Sequence, residues 1–226
     1  MRRSDMIDEV SARMVSALAA HTLRVAIDGI DAAGKTTLAD ELARSLNRLG
    51  RVVIRAGIDG FHNPIGTRHQ QTDLAAGYYE DSFNYVALKN KLLIPLGPGG
   101  SGICSTAVYD YRIEDHVESP PVVATRNSIL LFDGVFLLRK ELLEYWDMTI
   151  FVDITFRTQM RRALTRDRSL FGTPQMIRNQ YRSRYVPGQK LYLRTEHPKE
   201  KANIIITNDK LENPWVRYSK SLEQVP

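Results

Sequence analysis

Eight residues, Gly29-Ile30-Asp31-Ala32-Ala33-Gly34-Lys35-Thr36, fit the pattern G-x-x-x-x-G-K-[ST] at every fixed position, and Thr37 follows them. The chemistry open to such a stretch is the holding of polyphosphate. Gly29 and Gly34 let the backbone turn tightly with its N–H groups inward, and the next helix adds its positive dipole end. Lys35 would then reach the β- and γ-phosphates, and Thr36 would set its hydroxyl on Mg²⁺. Gly29, Asp31, Ala32, Ala33, Gly34, Lys35, Thr36 and Thr37 are therefore the candidate nucleotide-binding residues.

Two acids stand where elements end. Arg51-Val52-Val53-Ile54-Arg55-Ala56 reads as a strand that runs out at Gly57-Ile58-Asp59-Gly60-Phe61-His62. A right-handed strand–helix–strand crossover puts the carboxyl ends of successive parallel strands on one edge, so Asp59 falls on the phosphate side. It is the candidate general base, taking a proton from an acceptor hydroxyl; the plain alternative is an Asp that only caps a turn. For His62 a substrate contact and a structural role are equally open. Ser128-Ile129-Leu130-Leu131-Phe132-Asp133-Gly134 is a continuous apolar run closing on an acid, as a central parallel strand does. Asp133 would face Mg²⁺ through water or orient the acceptor, with a turn Asp as the alternative.

Arginines supply a further cationic group. Thr155 to Asp167 reads as a helix carrying Arg157, Arg161, Arg162 and Arg166, and a polar link then leads to a helix with Arg178, Arg182 and Arg184. Such a pair makes a mobile lid, about 157–185, whose guanidiniums close over transferring phosphate; Arg162 and Arg166 are its candidates. The alternative is a solvated basic face. On the acceptor side, 64–82 reads as a polar loop holding Tyr78 and Tyr79. Thr106–Arg112 reads as a strand paired with Pro121–Ala124 in a small β insert, about 96–126, where Tyr109, Tyr111 and Arg112 would meet an acceptor unless they only pack.

These groups need a scaffold, and the pattern supplies one. Leu23 to Asp28 is a short apolar strand, and Leu38, Leu42, Leu46 and Leu49 with Ala39 and Ala43 give the next helix an apolar face. Further strands are read at Asp147–Asp153 and Ala202–Asn208, and helices at 83–93, stopped by Pro95, and at 137–145. Residues 4–20 place Ile7, Val10, Met14, Ala17 and Leu18 on one face of an amphipathic helix. With 226 residues, 43% of them hydrophobic, the chain suits a single α/β domain spanning 1–226.

One cysteine, Cys104, excludes an intrachain disulfide framework and Cys-based zinc sites. Charges interrupt the amino-terminal apolar residues and no 18 apolar residues run together, so a soluble, cytoplasmic protein with no membrane partner is expected. The formal net charge is +5, yet the arginines concentrate between 157 and 194, which suits a polyphosphate better than a duplex. No nucleic-acid partner is expected, and a homodimer stays open.

In their order, GIDAAGKTT, IDGFH, VYDYR, ILLFDGVFL, WDMTIFVD with RRALTRD, and HPKEKANIIITND resemble the uridine kinase-like branch of the P-loop kinases, which includes pantothenate kinase and phosphoribulokinase. The resemblance implies a three-layer α/β/α fold around about five parallel strands, ATP and Mg²⁺ as donor, a small-molecule hydroxyl as acceptor, Asp59 as base and lid arginines on the phosphates. Four departures stand out. Uridine kinases generally carry a ribose-binding Asp where this chain has Tyr78, and a base-reading His where it has Glu114, with His116 two residues on. The lid is shorter, and the strand-end acid is Asp133 where Glu is common. Uridine or cytidine is the first acceptor to consider, with pantothenate, a sugar or a sugar acid as the alternative. Two other classes compete: a GTPase switch, whose Asn-Lys-x-Asp run is matched only by the misordered Asn208-Asp209-Lys210, and a nucleic-acid-stimulated ATPase, whose binding would fall steeply with salt.

Overall fold

The computed structural model describes residues 1–17, 20–125 and 127–219. Short apolar runs bounded by turns give β1 (Leu23–Gly29) and β2 (Val52–Gly57), then four two-residue strands, β3 (Ile103–Cys104), β4 (Tyr109–Asp110), β5 (Asp115–His116) and β6 (Val122–Val123). The long strands resume with β7 (Ser128–Gly134), β8 (Met148–Asp153), β9 (Ile204–Thr207) and β10 (Trp215–Tyr218). One sheet takes the order β10-β9-β8-β1-β7-β2. Five of these strands run parallel, as the sequence leads one to expect; β10 adds an antiparallel edge that it did not announce.

The central strands are buried on both faces, so they read as unbroken apolar runs. Val25 and Ile27 of β1 point to one side, Ala26 to the other. The first side is closed by α1 (Arg3–Ser16) and α2 (Lys35–Arg48), where Leu38, Leu42 and Leu46 recur at helical spacing and have lost contact with water. Each such side chain contributes about 1.5–3 kcal/mol. The second side takes Leu130 and Phe132 of β7 against Leu92, Phe136 and Trp146. Helix α1 ends at Ser16, short of the expected residue 20, and Leu18 lies outside the described residues.

The region between β2 and β7 departs most from the sequence reading. Within 64–82 lies a helix, Leu74–Glu80, whose amino end is capped by Asp73 Oδ1 accepting from the N–H of Ala75 (2.8 Å) and Ala76 (3.1 Å). The insert is two separate ribbons: β4 pairs with β5 and β3 with β6, so Thr106–Arg112 does not pair with Pro121–Ala124. Pro95 does not stop the helix before it either. Tyr85–Leu88 runs through a π-helical turn, Lys89–Leu93, into Ile94–Leu96, so Pro95 lies inside a continuous helical run, directly after the π turn that loosens the ladder there. The expected helix over 137–145 shrinks to Lys140–Leu143.

The Arg-bearing segment forms helix Phe156–Arg166, capped by Thr155, then Pro174–Gln180, a π-helical turn at Tyr181–Tyr185, and Val186–Glu196. Ala163, Ile177 and Tyr181 give it a small core of its own. Val186–Glu196 packs against Leu74–Glu80 closely enough that a Cβ on Gly188 would sit 2.8 Å from Tyr78 Cδ1. Among the described residues no helix is long and apolar enough to cross a membrane.

Candidate active site

The strand register fixes what meets at the carboxyl edge of the sheet. β1 pairs Asp28 with Gly134 and Gly29 with Val152, and β2 pairs Gly57 with Asp133. The loop after β1, the turn Ile58–Phe61 carrying Asp59 after β2, and Asp133 of β7 therefore share one edge. Asp59 is exposed there. Gly34 opens α2 at φ 92°, in the left-handed region, and a Cβ on Gly29 would come within 2.5 Å of the Val152 carbonyl oxygen. Both positions need glycine.

Inside the loop Lys35 Nζ donates to Ile30 O (2.9 Å). Burial lowers the pKa of Lys35, and Asp31, Asp28 and Asp133 act in the opposite direction. Thr36 Oγ1 donates to Asp133 Oδ2 (2.6 Å), while Arg55 Nη2 donates to Asp133 Oδ1 (3.0 Å). A hydroxyl and a carboxylate side by side next to a phosphate loop are hard oxygen donors of the kind Mg²⁺ takes with phosphate oxygens. Among the described residues no group of three or more His, Cys, Asp and Glu stands ready to hold a metal by itself. Under the loop Asp28 is sealed from solvent, accepting from Gly29 N (2.7 Å) and from Tyr192 Oη; burial raises its pKa.

Beside Lys35, Thr36 and Thr37 a cleft of about 290 Å³ is closed by Arg162 and Arg166, and beyond them by Arg3 and Asn208. Arg162 donates to the carbonyls of Ala33 (3.2 Å) and Asn208 (2.6 Å), and Asn208 Nδ2 donates to Ala33 O (2.7 Å). Arg3 Nη1 donates to Asn208 Oδ1 (3.0 Å). Arg162 thus braces the loop backbone, whereas Arg166 is held by Asp167 (2.6 Å) with its side chain 55% exposed at the cleft. Arg3, Arg55 and Asn208 escape sequence reading. Only Asn208, just past the carboxyl end of the last parallel strand, carries a signal that could have found it.

Across from the loop lie the acceptor-side groups. His62 stacks between Phe83 and Tyr111, each ring 4.7 Å away, and its Nδ1 lies 3.0 Å from Asp59 O; burial lowers its pKa. Arg68 donates to Glu114, which also accepts from Tyr109 Oη (3.1 Å) and Ile65 N (3.1 Å). The Arg68 hydrogen bond holds the Glu114 carboxyl below the usual carboxylate value. Tyr78 donates to Asp31 Oδ2 (2.9 Å). Tyr79, its neighbour, turns away into the core, packing on Phe136 and donating to Glu196 (2.9 Å). Arg112 is exposed, lying over the Tyr111 ring. Arg184, by contrast, is 6% exposed, stands on the Tyr78 ring and His69, and has no carboxylate partner among the described residues.

Geometry of this kind has known counterparts. A solved structure described as a possible uridine kinase from Bacillus stearothermophilus is 23% identical, with a TM-score of 0.71 over 89% of this chain and 97% of that one. A protein provisionally described as a fructose transport system kinase from Silicibacter sp. is 17% identical, with a TM-score of 0.70 over 87% and 96%. The D-glycerate 3-kinase of Cryptococcus neoformans is 12% identical, with a TM-score of 0.60 over 96% and 97%. At these identities they establish the fold. No curated protein sequence gives a significant match. The model of the phosphoribulokinase / uridine kinase family matches residues 25–208, and the chain, a P-loop kinase, belongs to that family.

Proposed function

We propose that the chain transfers the γ-phosphate of ATP to a hydroxyl of a small-molecule acceptor, with Asp59 as general base. The observation that carries this reading is the shared sheet edge: the carboxylate after β2 stands beside the Lys35 loop, with Asp133 between their strands. An acceptor oxygen forms its bond to phosphorus as the β,γ-bridging bond breaks, its proton passes to Asp59, and ADP leaves. Lys35 and Arg166 face the charge that spreads over the transferring oxygens, which is where phosphoryl transfer gains most of its rate. Thr36 and Asp133 would hold Mg²⁺, which supplies charge neutralisation on the phosphates when bound.

A second reading concerns the acceptor. Glu114, at the place of the base-reading His, is already occupied by Arg68 and Tyr109. Arg184 is a buried cation with no acid partner, an arrangement that is costly unless a ligand brings an anion. The first disfavours uridine or cytidine and leaves a sugar or sugar acid, and the second favours the sugar acid, with pantothenate as a further acid-bearing option. On this view the partners are small molecules, with no nucleic acid or membrane, in the cytoplasm, as a monomer or homodimer.

The test is ADP release by the full chain with ATP, Mg²⁺ and a panel of uridine, cytidine, pantothenate, sugars and sugar acids. Asp59→Asn is expected to bind ATP almost normally and to lose about 10²–10⁴-fold in turnover. Unchanged turnover in that variant removes Asp59 from the base role, and no ADP release with any acceptor removes the kinase reading.

A further inference from the structure

The Asp31 side chain has a task that its backbone position in the nucleotide loop does not require. Its Oδ2 accepts from Tyr78 Oη (2.9 Å) and Gln189 Nε2 (2.5 Å), both on elements of the acceptor side. Its Oδ1 takes no hydrogen bond among the described residues, and the residue is half-buried; burial raises its pKa. Neither Lys35 nor Arg166 forms an ion pair with it, though both, with Asp59, lie near enough to act on its charge.

Considerable structure is devoted to aiming this carboxylate. Gln159 Nε2 donates to Gln189 Oε1 (2.5 Å), which leaves the Gln189 amide only its N–H groups to offer, and these reach Asp31. Both glutamines have no exposed surface. The Tyr78 ring is wedged against Phe136 (5.0 Å) and Tyr185 (4.8 Å), and Gly188 lets the helix bearing Gln189 close onto it. This buried relay fixes one orientation of the Gln189 amide, although Gln159 Oε1 at its far end has no hydrogen-bond partner among the described residues. An anion beside a triphosphate is repulsive unless something in the complex donates to it. ATP carries its hydroxyls on the ribose, at the far end of the triphosphate from the transferring phosphate; the reactant that brings O–H donors to the transferring end is the acceptor.

We propose that Asp31 Oδ1 binds a second hydroxyl of the acceptor, next to the one that Asp59 deprotonates, so that the substrate class is polyhydroxylated. This rests on the kinase reading above. Asp31 then selects the acceptor from within the nucleotide loop, and Tyr78 and Gln189 are its positioning residues.

The experiment uses the full chain, ATP and Mg²⁺ with D-ribose, D-fructose, D-glycerate, uridine and pantothenate. The best acceptor is then compared with its analogue lacking one neighbouring hydroxyl, in the wild type and in Asp31→Asn. The variant should raise the acceptor KM roughly ten- to a hundredfold, the range for a lost hydrogen bond to a charged group, and leave the KM for ATP within about twofold. The deoxy analogue should cost the wild type a similar factor and cost Asp31→Asn nothing more, since both changes remove one interaction. Equal rises in both KM values, or losses that multiply, overturn the proposal. If Asp31→Asn does not fold, Tyr78→Phe and Gln189→Leu must show the same split in KM, and its absence overturns the proposal equally. A wild type that releases no ADP with any of these compounds defeats the kinase reading and this proposal with it; ADP release that ignores Asp31 defeats this proposal alone.

Discussion

The two walls of the cleft are made in different ways. The nucleotide wall comes from one unbroken stretch, Gly29 to Thr37, whose work is done by backbone N–H groups and a single lysine, with Asp133 and Arg162 brought to it. The wall proposed for the acceptor would be assembled from side chains scattered along the chain: Asp31, Asp59, His62, Arg68, Tyr78, Glu114, Arg184 and Gln189. A wall made of backbone can read only what all its ligands share. One made of side chains can be respecified at single positions while the other is left unchanged.

That contrast can be broken by experiment. The largest effect should come from the nucleotide wall: Lys35→Met removes the cation that the loop itself carries and should lower kcat about 10²–10³-fold for every acceptor alike, measured by ADP release. If the loss depends on the acceptor, the walls are not separable as described. Next, Arg55 holds Asp133 Oδ1 while Thr36 meets Oδ2. Arg55→Leu should therefore raise the Mg²⁺ concentration for half-maximal activity about tenfold or more, with the acceptor KM unmoved, as loss of a ligand's orienting partner does. An unchanged Mg²⁺ dependence would assign Arg55 to tying Asp40 to the sheet instead.

The smallest effect belongs to the acceptor wall and to pH. The Glu114 carboxyl is held below its ordinary value of 4.5 chiefly by the Arg68 hydrogen bond, against the cost of its partial burial. A depressed folded-state value means that the stability it contributes is complete above pH 4.5 and drains away as pH falls through the lowered value. Glu114→Gln should lower Tm by about 1–2 °C at pH 7, and the gap should close in more acid solution. A gap that widens on acidification would reverse the assignment of the pair.

Much of this was readable beforehand, for reasons that differ between the walls. The phosphate loop dictates its own geometry, because glycine spacing and a helix start suffice, and the strand–helix–strand crossover then forces Asp59 to the same edge. The helix at Leu74–Glu80 escaped because seven residues with a polar flank show too little periodicity, although Asp73 was there as its cap. The insert pairing went astray because two-residue strands leave no alternation to register. Tyr78 and Tyr79 both pack on Phe136, yet one hydroxyl goes to Asp31 and the other to Glu196, and only the packing of the helix decides which. Arg162 reads as a phosphate clamp from its place in a basic run; in the structure it lines the cleft while its Nη1 and Nη2 donate to carbonyls, contacts that only the tertiary packing creates.

Those carbonyls carry a consequence for how fast the protein can work. With the Ala33 oxygen taken by both Arg162 and Asn208, the peptide plane before Gly34 is held by its carbonyl end. An arriving nucleotide meets a rigid receptor and loses little free energy to ordering it, so association should be limited by diffusion and steering and not by refolding of the loop. Loosening either clamp would surface as a slower on-rate long before it changed the chemistry.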